Sequence, residues 1–303
     1  MSELALVLGL PSEPPVAAVV RALESAAVPH AVLDQRRLVS GSARTWWADG
    51  CAGGVIDAGD GPITLGDVTG VYTRLTTWSD LPEVAAEPSL LPHVAQLHYA
   101  VEAWLETTRA CVVNRTSAND SNNSKPYQAL IIRDHFQVPA TLITNDPLAA
   151  SEFRREHGRV IYKSVSGERS VVTEMTDDEV DRLHLLTSGP VQFQEHVAGV
   201  DLRVHVVGDE VFGTAIESTA VDYRYDNSGG TTMRAVAVDN EVATECVTLT
   251  ARLGLILAGI DLRLADDGRV VCFEVNPSPA FIVYEDATSQ PIAAAIAHRL
   301  AGS

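Results

Sequence analysis

Asp261, Glu274 and Asn276 are the residues whose types and spacing point most directly to chemistry. Residues 257–264 are apolar around Asp261, Asp267-Gly268 is a strong two-residue hairpin signal, and residues 269–276 read as the return strand. Such a turn pairs Leu264 with Val271, Leu262 with Phe273 and Asp261 with Glu274. Side chains alternate along a strand, so Glu274 and Asn276 share a face with Asp261, while Leu262, Phe273 and Val275 point the other way. Like charges directly opposite one another destabilise a sheet. A hard divalent cation relieves that repulsion most simply, because two carboxylates and a carbonyl oxygen leave Mg²⁺ room for phosphate oxygens and water. The competing reading is the polar face of a solvated hairpin.

Lysine usage adds a second signal. Of 22 basic residues only two are lysine, Lys125 and Lys163. A compact ammonium with three rotatable donors differs from a planar guanidinium fork, and phosphate binding is one place where the difference matters. Lys163 closes the apolar run Val160-Ile161-Tyr162 and opens the small, hydroxyl-rich stretch 164–170, which can bring backbone N–H groups close to an anion. Lys125 precedes Pro126, a good first-turn residue for a helix over 126–136, so its charge lies near a helix N-terminus that itself favours anions. Either lysine alone would read as a solvated surface charge.

Composition sets the frame. With 303 residues, 46% hydrophobic and 20% charged, the chain suits a globular protein of two or three packed units. The net charge of −18 is spread over both halves and leaves no basic stripe, which excludes nucleic acid and anionic membranes as expected partners. Cys51, Cys111, Cys246 and Cys272 lie far apart without metal-site or CxxC spacing, the pattern of reduced thiols in a cytoplasmic protein. The run 4–10 follows an acidic residue, has no basic n-region, and reads as a first strand, not a signal peptide.

Short strands at 4–10, 31–33, 70–74 and 111–113 alternate with helices at 16–27 and 93–108, which is an α/β pattern. The polar run 114–124 is the natural boundary loop. Next come the helix 126–136, a strand at 140–144, a helix at 147–157, the lysine strand and a helix at 177–186. A strand at 191–197, a hairpin over 202–217 around Gly208-Asp209, a loop at 222–231, a helix at 241–253, the carboxylate hairpin and a helix at 290–300 complete the chain.

Taken in order, Lys125 before a helix, Lys163 at a flap, Gln194-Glu195-His196-Val197, Asp201-Leu202-Arg203-Val204, Asp261 and Phe273-Glu274-Val275-Asn276-Pro277 resemble the ATP-grasp superfamily. The chain is most similar to its RimK-type and glutathione-synthetase-type ligases. The resemblance implies an α/β fold class: an N-terminal α/β pre-ATP-grasp domain (residues 1–113), then a two-subdomain α+β ATP-grasp fold (114–190 and 191–303) with the nucleotide between the subdomains. It implies that Lys125 and Lys163 contact the α and β phosphates beneath a flap including Ser164, Gly167 and Ser170. The backbone of Glu195, His196 and Val197, with Gln194 beside it, would read adenine, and Asp201 would accept the ribose hydroxyls. Arg203 would reach the transferring phosphoryl group, and Asp261, Glu274 and Asn276 would hold Mg²⁺, or Mn²⁺ in its place. Gln194 and Glu195 as a polar strand face, and Asp201 with Arg203 as a surface ion pair, are the plainer alternatives.

RimK-type enzymes usually carry an arginine at the end of the strand after the hinge hairpin, where this chain has Ala215-Ile216-Glu217-Ser218. Asp222-Tyr223-Arg224 offers a replacement, and this variant resembles graspetide synthetases, the ATP-grasp enzymes that cross-link ribosomal peptides. Arg224 then acts at an acyl phosphate with Asp222 orienting it; a polar turn is the alternative. Arg74 and Ser278 join Asp222 as candidates for substrate contact. The resemblance thus implies an ATP- and Mg²⁺-dependent carboxylate-amine or carboxylate-hydroxyl ligase acting on a small molecule or peptide, releasing ADP and phosphate, and leaves room for a homodimer or homotetramer. A small-molecule kinase or an ATP-binding regulator would share the nucleotide residues.

Overall fold

The computed structural model describes residues 3–120, 124–165, 172–218 and 230–302. Gly167, Ser170, Asp222 and Arg224 lie outside the described residues. Seven strands open the chain: β1 (Leu4–Gly9), β2 (His30–Asp34), β3 (Ser42–Ala48), β4 (Cys51–Asp57), β5 (Pro62–Thr64), β6 (Val68–Arg74) and β7 (Cys111–Val113). Four of them form a parallel sheet in the order β2-β1-β6-β7. Parallel strands are buried on both faces, and β1 shows why its whole length is apolar. Leu6 and Leu8 face Trp104 and Leu105 of helix Leu91–Thr107, while Ala5 and Val7 pack with helix Pro14–Ser25 and the C-terminal helix Ile292–Leu300. Gly70 is required there, because a Cβ on it would strike the Leu300 backbone. The antiparallel meander β3-β4-β5 was not foreseen; its glycines and half-exposed pattern carry little strand signal.

The second sheet, order β10-β9-β11-β8, comprises β8 (Thr141–Thr144), β9 (Val160–Ser164), β10 (Thr173–Glu174) and β11 (Val191–Glu195). Thus β11, the strand expected to open the last block, pairs with β8 and β9. Helix Pro147–His157, capped by Asp146, covers this sheet over Ala150, Val160 and Phe193. The helix expected over 177–186 is α-helical only through Asp177–Asp181 and continues as a 3₁₀ stretch.

The third sheet, order β14-β13-β12-β15-β16, is antiparallel throughout: β12 (Gly199–Val207), β13 (Glu210–Glu217), β14 (Thr232–Val236), β15 (Leu257–Ala265) and β16 (Val270–Asn276). Along β12, Leu202, Val204 and Val206 point toward helix Asn240–Arg252, and the alternate positions Asp201, Arg203 and His205 occupy the opposite face. That division makes one face a core and the other a site.

The polar run 114–124 is more than a loop. Buried Asn114 accepts from the N–H groups of Ile256 and Leu257 (2.8 and 3.1 Å) and donates to the carbonyls of Leu257 and Pro277 (2.7 and 2.6 Å). The segment after β7 is thereby fastened to the start of Leu257–Ala265 and to Pro277, just past Val270–Asn276. Helix Lys125–Ile132, shorter than expected, is capped by Ser124 and docks through buried Gln128, whose amide exchanges two hydrogen bonds with the Val275 backbone (2.7 and 2.9 Å). This covers the outer edge of β16, an edge that would otherwise present unpaired backbone groups. All four cysteines are free thiols, and no helix among the described residues is long and apolar enough to cross a membrane.

Candidate active site

Asp261 does stand opposite Glu274, but the hairpin reaches that register differently from expectation. Gly268 N–H bonds to the Ala265 carbonyl and Ala265 N–H to the Arg269 carbonyl, a three-residue loop with Gly268 at φ 88°. The ladder then pairs Leu264 with Val270 and Leu262 with Cys272, not with Val271 and Phe273, and shifts by one residue before Asp261. Phe273 is the extra residue of this bulge, and it lines the cleft beside Glu274 instead of pointing away from it. Bulges re-aim side chains beside sites, and here two consecutive residues face one cavity.

Three strands share the resulting face. Arg203, Asp261 and Glu274 make one cross-strand row, and His205, Gly259 and Asn276 the next. The tripeptide Asp-Leu-Arg occurs on both antiparallel strands, at 201–203 and 261–263, so each aspartate meets the other strand's arginine. Arg203 Nη1 donates to Asp261 Oδ1 at 2.5 Å, and Arg263 reaches Asp201 Oδ1 through Nε (2.7 Å) and Nη2 (2.6 Å). Asp201 and Arg203 therefore do not pair with each other as the plainer reading had it. Arg263, which the sequence reading passed over, also donates to the Val197 carbonyl (2.7 Å) and lies over the Phe273 ring at 5.2 Å.

Both lysines converge on Glu274. Lys125 Nζ, from the helix docked on β16, lies 3.0 Å from Glu274 Oε2, and Lys163 Nζ, from β9 in the other sheet, lies 3.6 Å from the same oxygen. The facing carboxylates are thus neutralised by Arg203 on one side and two ammonium groups on the other. A divalent cation, expected as the simplest relief of their repulsion, is thus not needed for it in this arrangement. Asn276 Oδ1 accepts from Ser278 N–H (3.0 Å), which holds its amide in place and leaves the oxygen a second lone pair. Among the described residues no three His, Cys, Asp or Glu side chains gather to hold a metal. The donor set Asp261, Glu274 and Asn276 is instead two carboxylates and an amide, hard oxygens that suit Mg²⁺.

A cleft of about 430 Å³ lies between the second and third sheets and is lined by Lys163, Gln194, Val197, Asp201, Asp261 and Glu274, among others. Arg203, only 6% exposed, sits behind Asp261. In the hinge, Glu195 N–H bonds to the Ala140 carbonyl and His196 N–H to the Arg159 carbonyl. Gln194 is buried, donates to Thr141 Oγ1 (3.1 Å), and has an Oε1 without a partner among the described residues. His196 is held below the usual imidazole range by burial and by the guanidinium groups of Arg159 and Arg263. Burial, followed by the charge of Arg203, lowers His205 well below it. Arg74, the last residue of β6, donates to Glu13 (2.6 Å) and to the hydroxyl and carbonyl of Ser278 (2.7 and 3.1 Å). The two substrate candidates on described residues are therefore in contact, at the open end of the carboxylate hairpin. Ser164 ends β9 beside Lys163.

A family model for the RimK-like ATP-grasp domain matches residues 121–300. The chain is 28% identical over 222 residues to a probable alpha-L-glutamate ligase of Parasynechococcus marenigrum, covering 69% of this chain and 47% of that protein. It is 29% identical over 147 residues to human beta-citrylglutamate synthase B, covering 46% and 38%. The chain spans about half or less of the length of these curated relatives. Among solved structures, the ATP-grasp ligase PsnB, complexed with a phosphomimetic variant of its minimal precursor, Mg and ADP, superposes with TM-score 0.82 at 26% identity, over 99% of this chain and 98% of that one. Macrocyclase MdnC of Microcystis aeruginosa, bound with its precursor peptide, shares the fold with TM-score 0.82 at 22% identity, over 99% and 100%. With the lysine pair, the hinge and the carboxylate hairpin in this order and geometry, the chain belongs to the RimK-like ATP-grasp family.

Proposed function

We propose that the protein is an ATP- and Mg²⁺-dependent ligase that joins a carboxylate to an amine or hydroxyl, with a precursor peptide as its substrate. The observation that carries this reading is the convergence of Lys125 and Lys163, from two different sheets or their flanking helix, on Glu274 opposite Asp261. A polyphosphate entering this cleft exchanges those lysine contacts for its own oxygens, while the carboxylates gain an ion. Asp261, Glu274 and Asn276 would hold Mg²⁺, which would supply positive charge against the terminal phosphates.

Everything else follows from this chain's own groups. Gln194 Oε1 is an acceptor in want of a donor, which the adenine amino group supplies; the Val197 N–H is the complementary hinge donor. Asp201, oriented by Arg263, takes the ribose hydroxyls. Arg203 supplies fixed positive charge for the transferring phosphoryl group, which favours charge developing in the transition state. A substrate carboxylate attacks the γ-phosphorus, the bond to the bridging oxygen of ADP breaks, and the acyl phosphate is captured by the nucleophile with loss of phosphate. No protein nucleophile is needed; catalysis is positioning and electrostatics. Arg74 and Ser278, in contact at the end of the carboxylate hairpin, are candidates to receive a substrate carboxylate, and Asp222 with Arg224 remain candidates for the acyl-phosphate side. The peptide reading is supported by the likeness to PsnB across the full chain.

The test is incubation of the protein with Mg-ATP and candidate precursor peptides, with mass spectrometry of the products. Loss of one water per linkage, one ADP per linkage and interception as a hydroxamate by hydroxylamine are expected. Accumulation of AMP and pyrophosphate would exclude the acyl-phosphate route.

A further inference from the structure

On the charged face of the third sheet a glycine stands beside the row of Arg203, Asp261 and Glu274. Gly259 stands between His205 on β12 and Asn276 on β16, one row from Arg203–Asp261–Glu274. A Cβ there would overlap Arg203 Nη2, lie 2.5 Å from Arg203 Cζ and 2.8 Å from Pro279 Cβ. Gly259 is not among the positive-φ glycines, so the requirement is for space and not for backbone conformation. The long side chain of Arg203 bends along the strand face into this opening.

Two aromatic groups close it. Arg203 Nε donates to His205 Nε2 at 3.4 Å, which makes that nitrogen the acceptor and puts the ring proton on Nδ1. Tyr284, from the helix Ile282–Thr288, stands edge-on to His205 at 4.8 Å and has the Arg203 guanidinium 5.5 Å from its ring centroid. All three side chains are buried, and Arg203 Nη1 donates to Asp261 Oδ1. A guanidinium enclosed on one side by an acceptor, on another by a ring face and beneath by a glycine has one orientation.

We propose that Gly259, His205 and Tyr284 form a cradle that fixes the Arg203 guanidinium for phosphoryl transfer, making them positioning residues of the reaction. The inference rests on the assignment of Arg203 to the transferring phosphoryl group. Fixing the fork in advance removes the reorganisation that a flexible arginine would undergo in the transition state, which is where preorganised donors gain their effect.

The experiment measures binding of Mg-ADP to the full chain with and without aluminium fluoride, a planar mimic of the transferring phosphoryl group. Aluminium fluoride is expected to tighten Mg-ADP binding to the unmodified protein. Arg203→Ala should remove about tenfold or more of that tightening, read as the ratio of the variant's own affinities for Mg-ADP with and without aluminium fluoride. Gly259→Ala should reproduce the Arg203→Ala loss, and the double variant should be no worse than Arg203→Ala, because both substitutions act through one group. His205→Gln, which keeps an acceptor, should retain most of the tightening, whereas His205→Phe should lose it; this pair decides the matter if Gly259→Ala fails to bind Mg-ADP at all. Full tightening in Gly259→Ala, or equal behaviour of the two His205 variants, overturns the cradle while leaving Arg203 in place. Full tightening in Arg203→Ala overturns the assignment of Arg203 itself, and the cradle with it.

Discussion

Two clusters of buried polar side chains in this protein are satisfied in opposite ways. At the carboxyl end of the parallel sheet, Gln35 and His98 are sealed from solvent as neutral groups. The Gln35 amide donates to the Thr76 carbonyl (2.6 Å), accepts from Thr76 N–H (2.9 Å) and lies 2.9 Å from His98 Nε2. Burial pushes His98 down to about 4, so no charge needs compensation there. On the face of β12, β15 and β16 the aspartates, arginines and Glu274 are charged, paired with opposite charges, and set at a cleft. The first arrangement fixes a loop and asks for nothing further. In the second, every ion pair has a partner that a nucleotide or a metal can replace, which is how charge can be kept partly buried before the ligand arrives without an uncompensated group.

Glu274→Gln is expected to break the charged region most severely, lowering Mg²⁺-dependent ATP affinity by about a hundredfold or more and abolishing ligation, as read by titration calorimetry and product analysis. Its effect on stability separates two accounts of the hairpin. Relief of a like-charge pair predicts a more stable variant in metal-free buffer. Two largely buried lysines losing their shared carboxylate predict one less stable by about 1–2 kcal/mol, the outcome the geometry favours. A higher melting temperature for the variant without metal would restore the first account. Lys163→Ala comes next: ATP affinity should fall by about tenfold, since one phosphate contact is lost while Lys125 remains. Smaller again is Gln128→Ala, which removes two buried hydrogen bonds from the β16 edge and should cost about 2 kcal/mol in urea unfolding. Because Lys125 rides on the same helix, ATP should also bind a few-fold more weakly, by about threefold. Unaltered ATP affinity with reduced stability would show that Lys125 is held without that staple.

Much of this was legible before any coordinate. The singular positions of the two lysines and the alternation of β12 follow from the rarity of lysine and from strand period; Asp261 does face Glu274, though through a three-residue loop and a bulge and not the two-residue turn expected, and the hinge was legible only through the resemblance. Phe273 was misplaced because the position of a bulge depends on how a three-residue loop is accommodated farther along the ladder, and no residue type announces it. Arg263 and Gln128 escaped notice for another reason: their partners, Val197, Asp201 and Val275, are distant in sequence, and a lone arginine or glutamine reads as surface. Asn114 was mistaken for loop composition because a polar run gives no sign of which member turns inward.

His98→Gln has the smallest expected effect on nucleotide binding and gives the cleanest contrast between the two regions. In the unfolded chain this imidazole titrates near its ordinary value of 6.5, while in the folded protein it resists protonation down to about 4. Between those values the unfolded state binds the additional proton, so stability from this group is full above about pH 6.5 and is lost as pH falls toward about 4, a change of roughly 2–3 kcal/mol. Histidines 196 and 205 share this direction and remain in both proteins, so the difference between wild type and variant isolates His98. Urea unfolding at pH 7.5 and 4.5 should therefore show a shallower acid loss in His98→Gln, with Mg-ATP affinity within about twofold of wild type, since the group lies outside the cleft. Equal pH slopes for the two proteins would mean that the buried pair admits the proton. Weakened nucleotide binding would mean that the two regions are coupled, and that the neutral pair does more than hold a loop.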